Sequence, residues 1–118
     1  ETHTATSNSI TTVMVRHIPG RYNTRSFLQL LDENGFKGSY DFVTLPPRNT
    51  GANRFGFVNF YTPEVAWKFI CAFNGYRLHS SFSGRLEILP ANLQGFEENL
   101  EWFLEQQSSN QMYCILSF

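Results

Sequence analysis

Alternation with a period of two marks four stretches of this chain as strands, and a period near 3.6 marks three others as helices. Thr12-Val13-Met14-Val15-Arg16-His17-Ile18 is β-branched and alternating, and Pro19-Gly20 closes it. Val13 and Val15 face one way there, Met14 and Arg16 the other. Asn23 or Thr24 can cap a helix whose core face is Phe27, Leu28, Leu30 and Leu31, and Gly35 ends it. Tyr40 to Leu45 is a second strand, stopped by Pro46-Pro47, and strict alternation puts Tyr40 and Phe42 on one face. Past the polar loop Arg48 to Ala52 comes Asn53-Arg54-Phe55-Gly56-Phe57-Val58-Asn59-Phe60. Read as a strand, it sends Phe55 and Phe57 to one side and Gly56, Val58 and Phe60 to the other. Thr62-Pro63-Glu64 is a helix start, with a capping hydroxyl, proline at the first position and an acid near the positive end. Ala66, Phe69, Ile70 and Phe73 follow at helical spacing until Asn74-Gly75. Tyr76 to Gly84 reads as a loop. Arg85 to Leu89 is a fourth strand, ended by Pro90.

The order βαββαβ predicts a ferredoxin-like α+β sandwich over residues 11–90, after a polar lead-in, residues 1–10, expected to be disordered. Two helices cover one face of a four-stranded antiparallel sheet, and the other face is bare. Phe27, Leu31, Phe60, Phe69 and Phe73 belong to the core. Residues 91–118 exceed what that fold requires. Leu93, Phe96, Leu100, Phe103 and Leu104 fall on one stripe of a third helix, about residues 93–107, whose other side is acidic. Met112 to Phe118 is apolar enough to be a short strand or a docked tail. A helix with one apolar stripe must bury it. It lies either across Phe55 and Phe57 or beside the sheet; because its acids would repel phosphate, the side position is expected.

Charge and composition narrow the function. The chain carries nine basic and ten acidic residues among 118, a net of −1. All nine basic residues fall between positions 12 and 90 against five acids, leaving that span at +4, and the remainder holds five glutamates. A mildly basic body with an acidic C-terminal helix is compatible with a polyanion partner. No run approaches the ~20 apolar residues of a membrane span. Cys71 and Cys114 make no metal spacing, and His3, His17 and His79 are scattered. No metal or cofactor is expected, and an intracellular setting, nuclear or cytoplasmic, is the default. An enzyme on this fold would need a phosphate-cradling loop and a nucleophile with its base; Gly20-Arg21-Tyr22-Asn23 offers a lone glycine, so no enzymatic activity is expected.

Paired rings on the third strand have a known use. The octamer Asn53 to Phe60 resembles the RNP-one segment of the RNA-recognition motif, which offers two aromatics to unstacked bases. Positions three to eight fit; Asn53 stands where Lys or Arg is usual, and Arg54 where Gly is usual. Beyond the octamer, roughly Thr11 to Gln107 resembles the C-terminal RNA-recognition motif of the Mei-two-like RNA-binding proteins. Thr11 to Pro19, Leu30 to Gly38, Tyr40-Asp41-Phe42 with Leu45-Pro46, Phe57 to Phe60, Ala72 to Gly75 and Pro90 to Gly95 carry the likeness. His17 and Gly20 depart from it, standing where the family usually has Asn. Met14 replaces a ring of the general motif, and the family shares that methionine.

The resemblance implies single-stranded RNA binding, with roles in meiosis and differentiation. Phe55 and Phe57 would stack on bases, with burial beneath the C-terminal segment as the alternative. The first and third strands adjoin in this fold, so Met14 and Arg16 lie beside the rings, Met14 as a soft contact and Arg16 for phosphate or as a solvated strand-end charge. Arg48 and Arg54 border the loop and are placed to position the phosphate backbone, and Asn53 completes the expected RNA-facing group. Trp102 caps an RNA groove or packs on the domain. The competing reading is a protein-interaction module whose sheet is covered by the C-terminal extension, or which holds a protein through the C-terminal helix; on either reading a monomer is expected. A peptide-binding subclass of this fold carries Arg-any-Phe before the last strand; Arg85-Leu86-Glu87 has an acid there.

Overall fold

A computed structural model describes residues 9–46, 54–78, 84–107 and 114–116, the last three as backbone. The elements are β1 (Thr12–Ile18), α1 (Thr24–Leu31), β2 (Tyr40–Thr44), β3 (Arg54–Phe60), α2 (Pro63–Phe73), β4 (Glu87–Pro90), α3 (Phe96–Gln107) and β5 (Cys114–Leu116). A π-helical turn, Asp32–Phe36, extends α1. The sheet runs β4-β1-β3-β2-β5, with each pairing antiparallel. The four-stranded sandwich expected from the sequence is present, and the apolar tail adds a fifth strand on the β2 edge.

Local chemistry sets the helix ends. Asn23 caps α1 in a reciprocal box: its Oδ1 accepts from the Ser26 N–H at 2.8 Å while the Asn23 N–H donates to Ser26 Oγ at 2.9 Å. Thr62 Oγ1 accepts from the Val65 N–H at 3.2 Å, with Pro63 opening α2. Gly35, at φ 93°, lets the π turn end and swing Phe36 inward. The Phe36 ring then sits 5.5 Å from that of Phe69 and 5.9 Å from that of Phe60. Tyr40 ties β2 to the same turn, its hydroxyl donating to Asp32 Oδ1 at 2.6 Å. Burial and the neighbouring carboxylate push that phenol's pKa up, so it stays a donor.

The helical face of the sheet is closed by Val13, Val15, Val43, Val58, Phe60 and Ile88 against Phe27, Leu31, Ala66, Phe69 and Phe73. Gly56 is part of this closure, because a Cβ there would stand 2.8 Å from Leu45 Cδ1 and 3.1 Å from the Thr44 carbonyl oxygen. Three expectations need correction. Tyr40 and Phe42 do not share a face: a register shift between them pairs Tyr40 with Phe60 and Phe42 with Asn59. Tyr40 therefore enters the main core and Phe42 the opposite face. The third helix starts at Phe96 after Gly95 at φ 96°, so Leu93 lies in the preceding loop. The third correction concerns where α3 rests.

Candidate nucleic-acid interface

The face of the sheet away from α1 and α2 is built by register. Met14 pairs with Phe57 on one side and Leu89 on the other, so Leu89, Met14 and Phe57 form a row across three strands. One step along, Arg16 pairs with Glu87, and its guanidinium meets that carboxylate at 3.1 Å with both side chains nearly half exposed. Phe55 stands beside Phe57 on β3, the rings edge-on at 5.7 Å. Phe55 is 38% exposed, whereas Phe57 is half-buried.

The burial of Phe57 comes from α3. That helix is not beside the sheet, as its acidity led one to expect, but on it. Phe103 packs edge-on against Phe42 at 6.4 Å, and Trp102 meets Phe57 at 6.1 Å. Phe42 is thereby fully buried. Acidity does not prevent this, because Glu97, Glu98, Glu101 and Glu105 all point to solvent. The stripe that docks is also not the purely apolar one. Leu104 is exposed, and Asn99, only 3% exposed, lies on the buried side with Phe103.

Asn99 belongs to a polar seam that fixes the extension. Thr12 Oγ1 donates to Asn59 Oδ1 at 2.6 Å and accepts from the Gly95 N–H at 2.9 Å and from Asn99 Nδ2 at 3.2 Å. Gln94 Oε1 accepts from the N–H groups of Thr11 and Thr12, and its Nε2 donates to the Thr12 and Ala91 carbonyls at 2.8 Å. Asn59 Nδ2 donates to Asp41 Oδ1 at 2.8 Å. Burial raises the Asp41 pKa, and the bond from Asn59 partly offsets it. Satisfied polar seams of this kind specify one geometry rather than a sliding apolar contact.

The result is a platform covered at the Thr12–Asn59 end and open at the other. Two adjoining cavities occupy the open part. The larger, about 420 Å³, lies between Met14, Phe57 and Leu89 on the sheet and Asn92, Asn99 and Trp102 of the extension. The second, about 390 Å³, is lined by Met14, Arg16, His17, Arg54, Phe55 and Leu89. Met14 and Leu89 line both.

Of the residues expected at the site, Phe55, Phe57, Met14, Arg16 and Arg54 are brought together, while Arg48 and Asn53 lie outside the described residues. Arg54 is set by its own bonds: Nη1 donates to the Tyr22 carbonyl at 2.8 Å, and Nη2 to those of Leu45 and Pro46 at 3.1 and 2.9 Å. It clamps the loops before α1 and after β2. His17 sits at φ 70°, where the register between β1 and β3 shifts, with Nδ1 3.1 Å from the Arg85 carbonyl oxygen. Leu89, Asn92 and Asn99 were not foreseen. Alternation along Arg85 to Leu89 could have found Leu89; nothing in hydropathy marks the two asparagines. Among the described residues no group of three or more His, Cys, Asp or Glu is placed to hold a metal, and no helix is long and apolar enough to cross a membrane.

Comparison with known proteins gives the family and the fold. A family model described as RNA recognition motif 2 matches residues 10–104. Protein MEI2-like 1 of Arabidopsis thaliana is 35% identical over 88 residues, which cover 72% of this chain and 10% of that protein. Protein MEI2-like 5 of the same plant is 31% identical over 111 residues, covering 91% of this chain and 14% of that protein. The chain thus spans about a tenth of the length of the curated relatives it matches. Among solved structures, the C-terminal RNA recognition motif of the hypothetical RNA-binding protein RBM19 is 30% identical, with a TM-score of 0.55, covering 75% of this chain and 81% of that one. The third RNA-recognition domain of Pes4 shares the fold at 15% identity, with a TM-score of 0.56 over 74% of this chain and 98% of that one.

Proposed function

The chain belongs to the RNA recognition motif 2 family, as a domain of Mei2-like type, and we propose that it binds single-stranded RNA on the uncovered half of its sheet. A domain of this fold can serve nucleic-acid or protein binding, and the observation that favours RNA is Phe55. A docked helix buries Phe42 and half of Phe57 yet leaves Phe55 exposed, beside a polarizable Met14 and an exposed Arg16. Base stacking needs an accessible ring with an apolar floor and a cation at its margin, which is this arrangement. The ion pair of Arg16 with Glu87 is no obstacle, since exposed pairs are worth about 0–1 kcal/mol and exchange readily for phosphate.

The test is fluorescence anisotropy of labelled single-stranded RNA pools against wild type and Phe55→Ala. Phe55 is the most exposed ring of this face, so its loss is expected to leave the fold intact, which circular dichroism checks. We expect binding to weaken about fivefold or more, the lower end of base–aromatic stacking. Wild type that binds no RNA in the pool would end the proposal.

The second reading is a protein-interaction module. The half of the sheet that α3 covers fits that reading better than it fits a fully open platform. The absence of an aromatic at Glu87 weighs against the peptide-binding form of the fold. Proteins retained by wild type but not by a variant altered on α3, with RNA binding absent, would favour it.

A further inference from the structure

We propose that the cavity beneath Trp102 is a nucleobase pocket, in which one base of a bound single strand leaves the sheet and is read by the C-terminal extension. This rests on the RNA-binding reading and adds a site to it. The first observation is the contrast between the two adjoining cavities. The one beside Phe55 is bordered by Arg16, His17 and Arg54. The one beneath Trp102 has no charged residue in its lining. A nucleotide has the same asymmetry: an anionic phosphate and a neutral, flat, aromatic base. The shared Met14 and Leu89 make one track from the cationic part to the neutral part.

The second observation fixes the direction. The exposed side of α3 carries Glu97, Glu98, Glu101 and Glu105, and the helix has no cation. Phosphate is therefore repelled from that end and drawn to the Arg16 end, so only the uncharged base can reach under α3. At about 420 Å³ the space lies within the range of small-molecule pockets, roughly 300–1,000 Å³. It combines apolar walls in Met14, Phe57 and Leu89 with an indole edge. Asn99 supplies a polar group: its Nδ2 donates to Thr12 Oγ1, to the Leu93 carbonyl and to the Gly95 carbonyl, which orients the amide and leaves Oδ1 out of those bonds. An amide oxygen held this way accepts from the donor edge of a base. Exposed Asn92, at the mouth, can both donate and accept. An apolar peptide side chain would fill the same walls but has no use for a cationic track beside them.

The experiment starts from the tightest-binding short sequence selected by wild type from a random single-stranded RNA pool. That sequence is scanned with one abasic ribose at a time against wild type, Trp102→Ala, Asn92→Glu and Phe55→Ala. We expect one position where base removal weakens wild type about fivefold or more but costs Trp102→Ala almost nothing further. Asn92→Glu, exposed and outside the packing of α3, is expected to lose affinity at the same position without loss of helix by circular dichroism. In a Trp67→Phe background Trp102 is the one tryptophan, and its fluorescence should shift on RNA addition. If Phe55→Ala weakens binding while both pocket variants match wild type at every position, the pocket is overturned and RNA binding stands. If no sequence is selected, both fall. If Trp102 responds only to an apolar peptide, the cavity belongs to a protein partner and the proposal is overturned.

Discussion

At the scale of single residues, the pattern of side chains states its physics most directly where a backbone atom lies close behind it. Gly56 faces Leu45 and the Thr44 carbonyl, so Gly56→Ala is expected to cost about 1–3 kcal/mol of overpacking, read as a lower urea midpoint at unchanged slope. His17 is in the left-handed region, which Asn tolerates and β-branched residues do not. His17→Asn should thus melt within a few degrees of wild type, while His17→Val should lose about 1–3 kcal/mol. The sequence marked His17 only as a departure from a family Asn; its positive φ is a conformation that Asn adopts readily. Arg54 was legible as a departure from the octamer's glycine and as a charge near a loop, placed for phosphate. Its three carbonyl bonds, which no local pattern could reveal, predict that Arg54→Ala costs about 1.5–3 kcal/mol. Asp41 gives a pH test. Burial raises its folded pKa above the unfolded value, so the charged form is disfavoured in the folded state. Stability from this group is full below the ordinary carboxylate pKa and is lost as pH rises through the folded value. Asp41→Asn, which can still accept from Asn59, should therefore match wild type in acid and melt higher at neutral pH.

At the scale of elements, hydropathy located every strand and helix of the sandwich, because each is half-buried and each buried face repeats with the period of its own backbone. It failed at β2 because a register shift breaks the period between Tyr40 and Phe42. It failed at α3 because the docking side includes Asn99, whose burial is offset by hydrogen bonds to Thr12, 87 positions away in the chain, and to the Leu93 and Gly95 carbonyls of the adjoining loop. An acidic helix also looked unfit for a nucleic-acid face, yet the acids and the docking residues occupy different sides of one cylinder. The energetics of α3 follow from these contacts. Phe103→Ala should cost about 3 kcal/mol as a buried ring replaced by a void, and it should expose Phe42. Thr12→Val removes the hydroxyl that serves Asn59, Gly95 and Asn99, and is expected to cost about 1–3 kcal/mol. Amide exchange would localise each effect: faster exchange confined to α3 and the loop before it, with β1 and β3 protected, is the pattern of an undocked helix rather than a melted domain.

For the whole molecule, the distribution of charge matters more than its near-zero sum. A body of +4 over residues 12–90 stands against five glutamates elsewhere, and among the described residues Arg16, His17 and Arg54 border the open half of the sheet. Of the two arginines among the described residues on the track, Arg54 is engaged with carbonyls, and Arg16 can turn to phosphate by releasing Glu87. Single-stranded nucleic acid contributes a slope of about −0.7 in log affinity against log salt for each phosphate neutralised. The expected slope for wild type is therefore shallow, roughly −1, with stacking supplying most of the affinity. Arg16→Ala should flatten it by about 0.7, whereas Phe55→Ala should lower affinity at every salt concentration and leave the slope alone. Glu98→Gln with Glu101→Gln should act in the opposite sense, raising the association rate at low salt and losing that advantage once salt screens the helix. A steep slope that Arg16→Ala does not change would place the backbone on another face, and the track from Arg16 to Trp102 would then have no phosphate to follow.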